Sequence, residues 1–472
     1  MNPTAAATAN ENEKGSLGVL AYLATAFGQM FGIGWLTMVG FWIATAGPLG
    51  AILGFTLGAI LMAGVAGCYA ELAGMMPISG GEVVYANDVF GRFPAFLIGW
   101  FLLAVQILTL GFSAVSLGWV LETLFPSLQV SPLFHFLGTG VTLPELIVGQ
   151  VSLWGIYAIN RSGLRMSGRA QEVLTMVKVV IMVGFIVGGL FLGQPTRALT
   201  LVPGITPIAE NWKILTVFAA TPYFIGGFSS VATLAGDRSS TTSMKTLGLL
   251  MVCATGVGAL VLYPGMIIAC SAAAPLRDTL HSQLPAAFDA DAIFKSTWGG
   301  RALLLGGVMG IMGSMNAVVL STSRTLRVFV DMGAWNRPTK VAQGSGEYNF
   351  TLIVALGALL SVAGQGALLP IVDSGALALI VCYFSMCLAA LKLRLSQPQR
   401  PRPFSMPGGI PMLATIVIVM GCMTLFLLIQ PLSTTSKGSP TEWLIIGIWL
   451  AVGAMWWQLS RRSQAKVRII GS

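Results

Sequence analysis

The sequence predicts an all-α integral membrane protein with about twelve transmembrane helices, and three observations support this prediction. Hydrophobic residues make up 55% of the 472-residue chain and charged residues only 9%, against roughly 25% charged residues in a soluble domain. The mean hydropathy is +0.81. The hydrophobic residues fall in runs of about 20, the length that a helix needs to cross a bilayer. A soluble protein is therefore excluded, because too few charged side chains are present to cover a water-facing surface.

Twelve runs of suitable length follow one another along the chain. They span residues 17–45, 49–75, 94–124, 143–160, 169–193, 214–236, 245–272, 300–328, 349–365, 367–393, 409–430 and 441–460. The fourth is short, and only Gln365-Gly366 separates the ninth from the tenth. We divide the chain into an N-terminal tail (1–14), a core of ten helices (15–395), two further helices (396–460) and a C-terminal tail (461–472).

Positive charges predict how the chain lies in the membrane. Of the 26 Lys and Arg residues, nineteen fall in segments on the side of the N-terminus and six on the other side, while Lys178 lies within a span. Lys and Arg favour cytoplasmic loops, so we expect both termini in the cytoplasm and the protein in the inner (cytoplasmic) membrane. Residues 1–14 are polar and show no cleavage site, as in a cytosolic tail. The same bias explains the net charge of +9 without a nucleic-acid partner.

Cysteine and histidine placement argues against metal or cofactor chemistry. The six cysteines lie in apolar runs without CxxC spacing, so we expect buried thiols and no metal site. His135 and His281 lie in predicted external loops. A membrane enzyme would need a cluster of catalytic or metal-ligating groups at membrane depth, and a channel would show filter-like repeats or rings of one charge. Neither pattern occurs in the sequence.

Two spans contain residues that interrupt helices. The first reads GQMFGIGWLTMVGFW, with Gly28, Gly32 and Gly34 closely spaced, and the sixth reads TPYFIGGFSSVATLAGD, with a proline and a glycine pair. Breaks survive in membranes only where they line a cavity. Broken helices at corresponding positions of two five-helix halves indicate a transporter site and fit a five-plus-five inverted repeat. The alternative is that the glycines only allow close helix contacts.

Helix breaks expose backbone groups of both polarities. The N–H groups that begin an outer half-helix attract a carboxylate, and the carbonyl groups that end an inner half-helix attract an ammonium group. An α-amino acid carries both groups. A nearly apolar pocket at the breaks would therefore suit an amino acid, which it would bind mainly through the backbone.

Several segments resemble the amino acid–polyamine–organocation (APC) transporter superfamily. They are GIG with AGPLGAILGF in the first span and turn, YAELAGMMPISGGEVVYANDVFGRFPAFLIGW (Tyr69 to Trp100), NRSGLRMSGRAQEVLTMVK (Asn160 to Lys178), GFSSVATLAGD (Gly227 to Asp237) and RPFSMPGGIP (Arg402 to Pro411). The resemblance implies a leucine-transporter-like fold with a 5+5 inverted repeat and two additional C-terminal helices. It also implies a bacterial amino acid permease.

The resemblance implies a set of substrate-binding groups. The substrate carboxylate would meet the N–H groups of Ile33 and Gly34, and the amine would meet the carbonyl groups of Met30, Tyr223 and Gly226. Met315 matches an eighth-helix position where a related antiporter has a pocket aromatic, although ordinary packing is the alternative for Met315. Many members carry Asp or Glu where Ser229 stands here. The absence of that carboxylate argues against a polyamine or strongly cationic substrate.

Lys178 is the charge with the clearest functional implication. An ammonium group inside a span is costly and points to function. In proton-coupled members a lysine at this position replaces a sodium ion against the first helix, where Gly28 would offer the facing carbonyl. Because burial disfavours the charged form, we expect Lys178 to release and regain a proton. The alternative is a lysine that snorkels to the cytosolic face, but Lys178 lies about 13 Å beyond Arg169 on a helix.

Other polar residues receive weaker roles. Glu71 ends the second span and is expected to pair with a loop arginine. Asp373 is expected at the outer interface, and the alternative is a group in the transport pathway. The third span offers three polar candidates for the pathway, whose alternative role is inter-helix hydrogen bonding: Gln106, Thr109 and Ser113.

We therefore expect a secondary transporter of a small neutral or zwitterionic amino acid or related amine, which works by alternating access as a proton symporter. The alternative is a substrate/product antiporter without net proton coupling. Lys178 argues against a sodium-coupled transporter. The expected partners are the small-molecule substrate, protons and the lipid bilayer, with no nucleic acid, and the sequence predicts no oligomeric state.

Overall fold

The protein is helical almost throughout in the computed structural model, as its hydropathy predicts. The structure describes residues 17–32, 34–161, 164–199, 211–282, 284–332, 345–429 and 441–470. The predicted N-terminal tail (1–14) and Ile33 lie outside these ranges. Within them, the only strands are β1 (Phe134–Phe136) and β2 (Thr139–Val141), an antiparallel hairpin.

Seventeen α-helices are present in the described ranges. They are α1 (Val19–Met30), α2 (Gly34–Thr37), α3 (Val39–Met75), α4 (Glu82–Phe90), α5 (Arg92–Leu124), α6 (Leu143–Arg161), α7 (Leu164–Leu192), α8 (Asn211–Phe224), α9 (Gly227–Thr233), α10 (Met244–Ala273), α11 (Leu276–His281), α12 (Pro285–Phe294), α13 (Thr297–Asp331), α14 (Ser345–Ser361), α15 (Leu368–Ser396), α16 (Gly409–Ile429) and α17 (Thr441–Ile470). Short 3₁₀ helices follow at Pro126–Leu128, Pro195–Leu199, Ala235–Asp237 and Gln365–Ala367.

Each of the twelve predicted spans contains a helix, so the prediction of a polytopic helical protein is confirmed. Ten of the described helical segments are long and apolar enough to cross a membrane. The predicted fourth and ninth spans, α6 and α14, fall outside that set. α6 is less apolar because Glu145 lies in its first turn and Arg161 in its last. At the C-terminus, α17 extends to Ile470, ten residues beyond the predicted end of the last span.

The first and second spans meet within α3, which consists of two helical segments joined at the non-helical residue Gly47. Gly47 has a positive φ of 72° and Pro48 follows it, so α3 bends there. Glycine tolerates this backbone conformation without steric cost. The residues of α3 before the bend complete the first span, and the residues after it form the second. The predicted boundary between residues 45 and 49 therefore falls at this bend.

Both predicted helix breaks are present. α1 ends at Met30 and α2 begins at Gly34, while α8 ends at Phe224 and α9 begins at Gly227. The broken segments approach each other closely, because a Cβ atom on Gly227 would overlap the backbone carbonyl of Ala26. The glycines thus serve close packing as well as the breaks.

The end of the molecule that carries most of the positive charges, which we call the inner end, is held by buried ion pairs. Glu71 is fully buried and binds Arg394 and Arg402, and its Oε2 also accepts the Met406 N–H at 2.9 Å. The predicted pairing of Glu71 with a loop arginine is therefore confirmed by Arg402, and Arg394, on α15, adds a second contact. These contacts tie the second span to the segment between α15 and α16.

The six cysteines are all unpaired, but they do not share one environment. Cys253 on α10 and Cys422 on α16 are exposed on the helix surface, whereas the other four are buried. The expectation that all six are buried was wrong. A lipid-facing helix surface is as apolar as the protein interior, so hydropathy alone does not distinguish the two.

Candidate functional site

The two helix breaks meet at a cavity of about 50 Å³ in the middle of the helical core. A water needs roughly 10–15 Å³, so this main cavity has room for about four waters or a small ligand. Its lining comes from both breaks and from α5, α10, α13 and α15. The lining residues are Gln29, Met30, Gly32, Gly34, Val105, Thr109, Phe112, Ser113, Tyr223, Phe224, Gly226, Tyr263, Ser314, Leu379 and Tyr383.

Among the residues that the structure describes, none that lines the main cavity carries a charged side chain. The polar groups are hydroxyl groups, the Gln29 amide and the backbone at the breaks. A ligand with a net charge would lose its hydration there without a counter-ion, which is costly in a low-dielectric site. A zwitterion is different, because its two charges can be met by the oppositely polarised helix ends.

A smaller cavity of about 10 Å³ adjoins the main one. The two cavities share Gln29, Val105, Thr109 and Leu379. The additional lining of the smaller cavity is mostly polar and consists of Leu102, Gln106, Ser229, Ser230, Thr233, Val318 and Ser321. The polar residues that line the two cavities extend from the breaks along α9, and we call this strip the polar route.

Most of the predicted substrate-binding residues lie at these cavities. Met30, Gly34, Tyr223 and Gly226 line the main cavity, and Ser229 lines the smaller one. The polar candidates of the third span also lie here, with Thr109 in both cavities, Ser113 in the main cavity and Gln106 in the smaller one.

Met315 occupies a different environment from the other predicted residues. It is fully buried on α13, but the cavity lining contains its neighbour Ser314 instead. Successive helix residues point about 100° apart, so a shift of one position moves a side chain off the cavity face. Asp373, predicted at the outer interface, is buried near the start of α15.

Tyr263, which the sequence did not single out, connects the two breaks. Its hydroxyl group lies 2.7 Å from the Met30 carbonyl oxygen and 3.2 Å from that of Phe224. The Gly226 carbonyl oxygen similarly accepts hydrogen bonds from the Ser229 side chain at 3.0 Å and from the Tyr383 hydroxyl group at 3.5 Å. These contacts hold the ends of α1 and α8 in place. Each carbonyl oxygen has two lone pairs, so those at the breaks can accept more than one donor.

Lys178 lies fully buried on α7 and is directed at the end of α1. Its Nζ donates hydrogen bonds to the carbonyl oxygens of Phe27 at 2.9 Å, Gly28 at 3.1 Å and Phe31 at 2.7 Å. The contact with Gly28 is the one that the resemblance implies. Within the described part of the chain, no carboxylate forms an ion pair with this lysine. The C-terminal end of α1 carries partial negative charge, which takes the place of a counter-ion.

The three contacts of Lys178 match the protonated side chain. An ammonium group has three donors and no acceptor, and all three find a carbonyl oxygen. A neutral amine has only two N–H groups, and its lone pair would face a carbonyl oxygen. Loss of the proton would therefore break at least one bond between α7 and α1. The number of hydrogen bonds that Lys178 can make to the first span therefore depends on its protonation.

Further polar residues on α7 extend this attachment. The Gln171 amide nitrogen and the Thr175 hydroxyl group both donate to the Ala24 carbonyl oxygen, at 3.1 and 3.0 Å. Gln171 also accepts from the Asn316 amide at 2.8 Å. Sequence reasoning missed these groups, although polar residues at 171, 175 and 178 in an apolar helix share one face. We call Gln171, Thr175 and Lys178 the α7 stripe.

Comparison with known proteins agrees with this architecture. The sequence model of the amino acid permease family matches residues 17–454. The chain is 25% identical over 451 residues to the methylthioribose transporter of Bacillus subtilis (strain 168), which covers 93% of this chain and 91% of that protein. It is 23% identical over 457 residues to the branched-chain amino acid permease BcaP of the same organism, with 94% of both chains covered.

A third relative from Bacillus subtilis (strain 168), the serine/threonine exchanger SteT, is 26% identical over 323 residues, which is 67% of this chain and 68% of that protein. The family model covers all but the two ends of the chain, and the motifs, the helical fold and both helix breaks point the same way. The protein therefore belongs to the amino acid permease family of membrane transporters, within the APC superfamily that its sequence resembles.

Proposed function

We propose that the protein is a proton-coupled symporter of a small neutral or zwitterionic amino acid, or a related small amine, in the cytoplasmic membrane. The observation that carries this proposal is the uncharged cavity at two broken helices, beside a buried lysine that binds three carbonyl oxygens of the first span. Transport would proceed by alternating access, with both termini in the cytoplasm.

The chemistry of the main cavity supports the proposed substrate class. The outer half-helix that begins at Gly34 directs its first N–H groups toward the break and suits a carboxylate. The carbonyl groups of Met30, Tyr223 and Gly226 suit an ammonium group. The cavity volume of about 50 Å³ favours a small side chain, because a larger one needs rearrangement of Phe112, Phe224 or Leu379.

Lys178 supports protons as the coupling ion. Its ammonium group already fills the position that faces the carbonyl oxygens of Phe27, Gly28 and Phe31. A sodium ion would need these same oxygens as ligands. Release of the Lys178 proton weakens the contact between α7 and α1, so protonation and movement of the inner half of the first span are physically linked.

Uptake by purified protein in proteoliposomes tests the proposal. We expect an inward proton gradient to drive accumulation of a small zwitterionic amino acid, and a protonophore to abolish it, with no effect of sodium. The candidate substrates come from a thermal-shift panel of amino acids, amines and methylthioribose, since a ligand that binds the folded state raises its apparent stability. Stabilisation only by a ligand that lacks an amino group, or uptake driven by sodium alone, would contradict the proposal.

Exchange of substrate for product is the second candidate function, and it is favoured by the similarity to the serine/threonine exchanger SteT. An obligatory exchanger transports only into vesicles that are preloaded with a counter-substrate. A symporter also accumulates substrate in empty vesicles when a proton gradient is imposed. The two candidates therefore differ in one comparison of loaded and empty vesicles.

A further inference from the structure

Glu82 is a buried carboxyl group that lies outside the main cavity and has no part in the proposed coupling by Lys178. It is the first residue of α4, in the connection between the second and third spans, and its side chain is 0% exposed. The chain enters α4 through Gly80 and Gly81, which have positive φ angles of 121° and 50°. This tight turn directs the start of α4 into the protein.

The start of α4 closes on the end of α9. The Gly80 N–H donates to the Thr233 carbonyl oxygen at 2.9 Å. The Tyr85 hydroxyl group lies 3.4 Å from the Ala232 carbonyl oxygen. The Thr233 hydroxyl group lies 3.3 Å from Oε2 of Glu82. We call these five residues the inner gate.

The inner gate lies at the end of the polar route from the main cavity. Thr233 lines the smaller cavity, together with Gln106, Ser229 and Ser321. Glu82 binds Thr233 and is itself absent from the cavity lining. A substrate that leaves along this route must separate α4 from α9, and that separation would bring water to the Glu82 carboxyl group.

No cation faces the Glu82 carboxyl group from the described residues around it. The titratable groups that face it are uncharged at neutral pH: Tyr69 on α3, Tyr85 on α4, and Cys382 and Tyr383 on α15. Helix α13 contacts the turn before α4 through Val328, and α5 contacts α4 through Gly99. Lys392 and Arg400 contact α4 only at its other end, at Val89 and Asp88.

The oxygen atom Oε1 of Glu82 has no hydrogen-bond partner among the described residues. An unpartnered buried carboxylate is costly, whereas the neutral acid avoids most of that cost. Burial raises the pKa of Glu82 to about 7, and the Glu82 backbone N–H and the Thr233 hydroxyl group oppose this only in part.

We propose that Glu82 is a second proton-binding group of this transporter, which holds its proton while the inner gate is closed and releases it to the cytoplasm when the gate opens. Opening exposes the carboxyl group to water, so the neutral acid becomes a carboxylate and the proton passes to solvent. The proposal rests on the alternating-access function proposed above. It is independent of the identity of the substrate.

The difference between the pKa of Glu82 in the closed and in the open gate determines how gate opening depends on pH. The closed gate binds the proton with a pKa of about 7, and a hydrated glutamate has a pKa of about 4.3. Between these two values, the open gate binds fewer protons than the closed one. Gate opening therefore rises by up to about tenfold per pH unit in that window and becomes independent of pH above it. Acidification of the cytoplasmic side holds the gate closed.

Difference infrared spectroscopy of the purified full-length protein tests the protonation directly. We expect a carboxylic-acid carbonyl band that disappears as the pH rises through about 7 and is missing in Glu82→Gln. Asp289 at the outer end provides the matched control, because burial also raises its pKa to about 7. The carbonyl band of Asp289 should be missing in Asp289→Asn and should remain in Glu82→Gln. Identical spectra for the wild type and Glu82→Gln would overturn the proposal.

Thiol labelling tests the link to gate opening. In a variant whose six native cysteines are replaced, Ser321→Cys places a thiol in the smaller cavity, and an impermeant maleimide is applied to inside-out vesicles. We expect the labelling rate, relative to that in Glu82→Gln, to rise several-fold as the pH rises toward 7. Equal labelling rates at every pH with Glu82 and with Glu82→Gln would overturn the proposal. If Glu82→Gln is unstable, Glu82→Asp serves as the second variant, and it should retain the pH dependence because it keeps a carboxyl group.

Neither measurement requires transport. A protein that transports no amino acid can still show the Glu82 band and the pH-dependent labelling, in which case the proposed function fails and the gate proposal stands. The reverse result, amino acid uptake with no titration of Glu82, removes the gate proposal alone.

Discussion

Individual residues at the helix breaks leave the described lining of the site without a charged side chain. Ser229 lines the smaller cavity and donates to the Gly226 carbonyl oxygen at 3.0 Å, at a position where many superfamily members carry an acid. With serine there, the described lining of both cavities holds no carboxylate that could attract a second cation on a ligand. The site is therefore neutral overall, which suits a ligand whose own charges cancel.

Substitution Ser229→Asp should shift selectivity toward cationic amines. A carboxylate at this position would form a charge-assisted hydrogen bond with an added ammonium group, which is worth about 1.5–3 kcal/mol, or roughly tenfold or more in affinity. Thermal-shift titration with mono- and diamines measures the change. Ser229→Asn, with a similar size and no charge, is the control. If Asp and Asn variants prefer the same ligands, charge at this position does not set selectivity.

Whole helices then determine how the site is held. The α7 stripe attaches α7 to the inner half of the first span through four carbonyl oxygens, those of Ala24, Phe27, Gly28 and Phe31. The acceptors of these bonds are all backbone carbonyl oxygens, so the bonds depend on the position of the backbone and not on the side chains of the first span. They would all have to break or shift for α1 to move away from α7, so the stripe sets the cost of that movement.

Substitution Gln171→Leu should therefore destabilise the folded protein. It leaves one N–H of the Asn316 amide without its acceptor at 2.8 Å, while the bond from Asn316 to the Ser167 carbonyl oxygen and the bond from Thr175 to Ala24 remain. Each buried polar group left unpaired costs about 1–3 kcal/mol. The apparent melting temperature in detergent should fall, whereas Val173→Leu on the exposed face of the same helix should leave it unchanged. Equal melting temperatures for the two variants would show that the stripe does not stabilise α7 against α1.

The sequence predicts these elements to different extents. Hydropathy located a helix in every predicted span, and Gly and Pro placement located both breaks, because each of these properties is local. The contacts that complete the site join residues far apart in the chain, such as Tyr263 with Met30 and Gln171 with Ala24. Local patterns do not specify which helices become neighbours. The shared face of residues 171, 175 and 178 was visible in the sequence, but its partner was not.

The sequence also did not determine which positions of a helix face the cavity, the core or the outside. The resemblance proposed Met315 for the pocket, and the structure places Ser314 in the cavity lining instead. Likewise, Cys253 and Cys422 face outward from apolar helices, because lipid-facing and core-facing positions have the same hydropathy. Glu82 was part of a recognised motif, but only the fold shows that it is buried without a cation.

At the scale of the whole molecule, the broken helices contact both Lys178, through the first span, and the inner gate, through α9. The main cavity lies where α1, α2, α8 and α9 meet, the α7 stripe holds α1, and the inner gate closes below α9. The predicted inverted repeat would relate the two breaks by symmetry and allow the two halves to rock about the cavity. Movement of α1 would then depend on the proton of Lys178.

Simultaneous recording of proton influx and substrate exchange in proteoliposomes tests this account most directly. We predict that substrate addition drives proton influx in the wild type and in the exposed control Lys245→Met, and that Lys178→Met loses the influx but still exchanges labelled for unlabelled substrate. Exchange without influx would show that the site is intact and only coupling is lost. An unchanged number of protons per substrate in Lys178→Met would contradict the account.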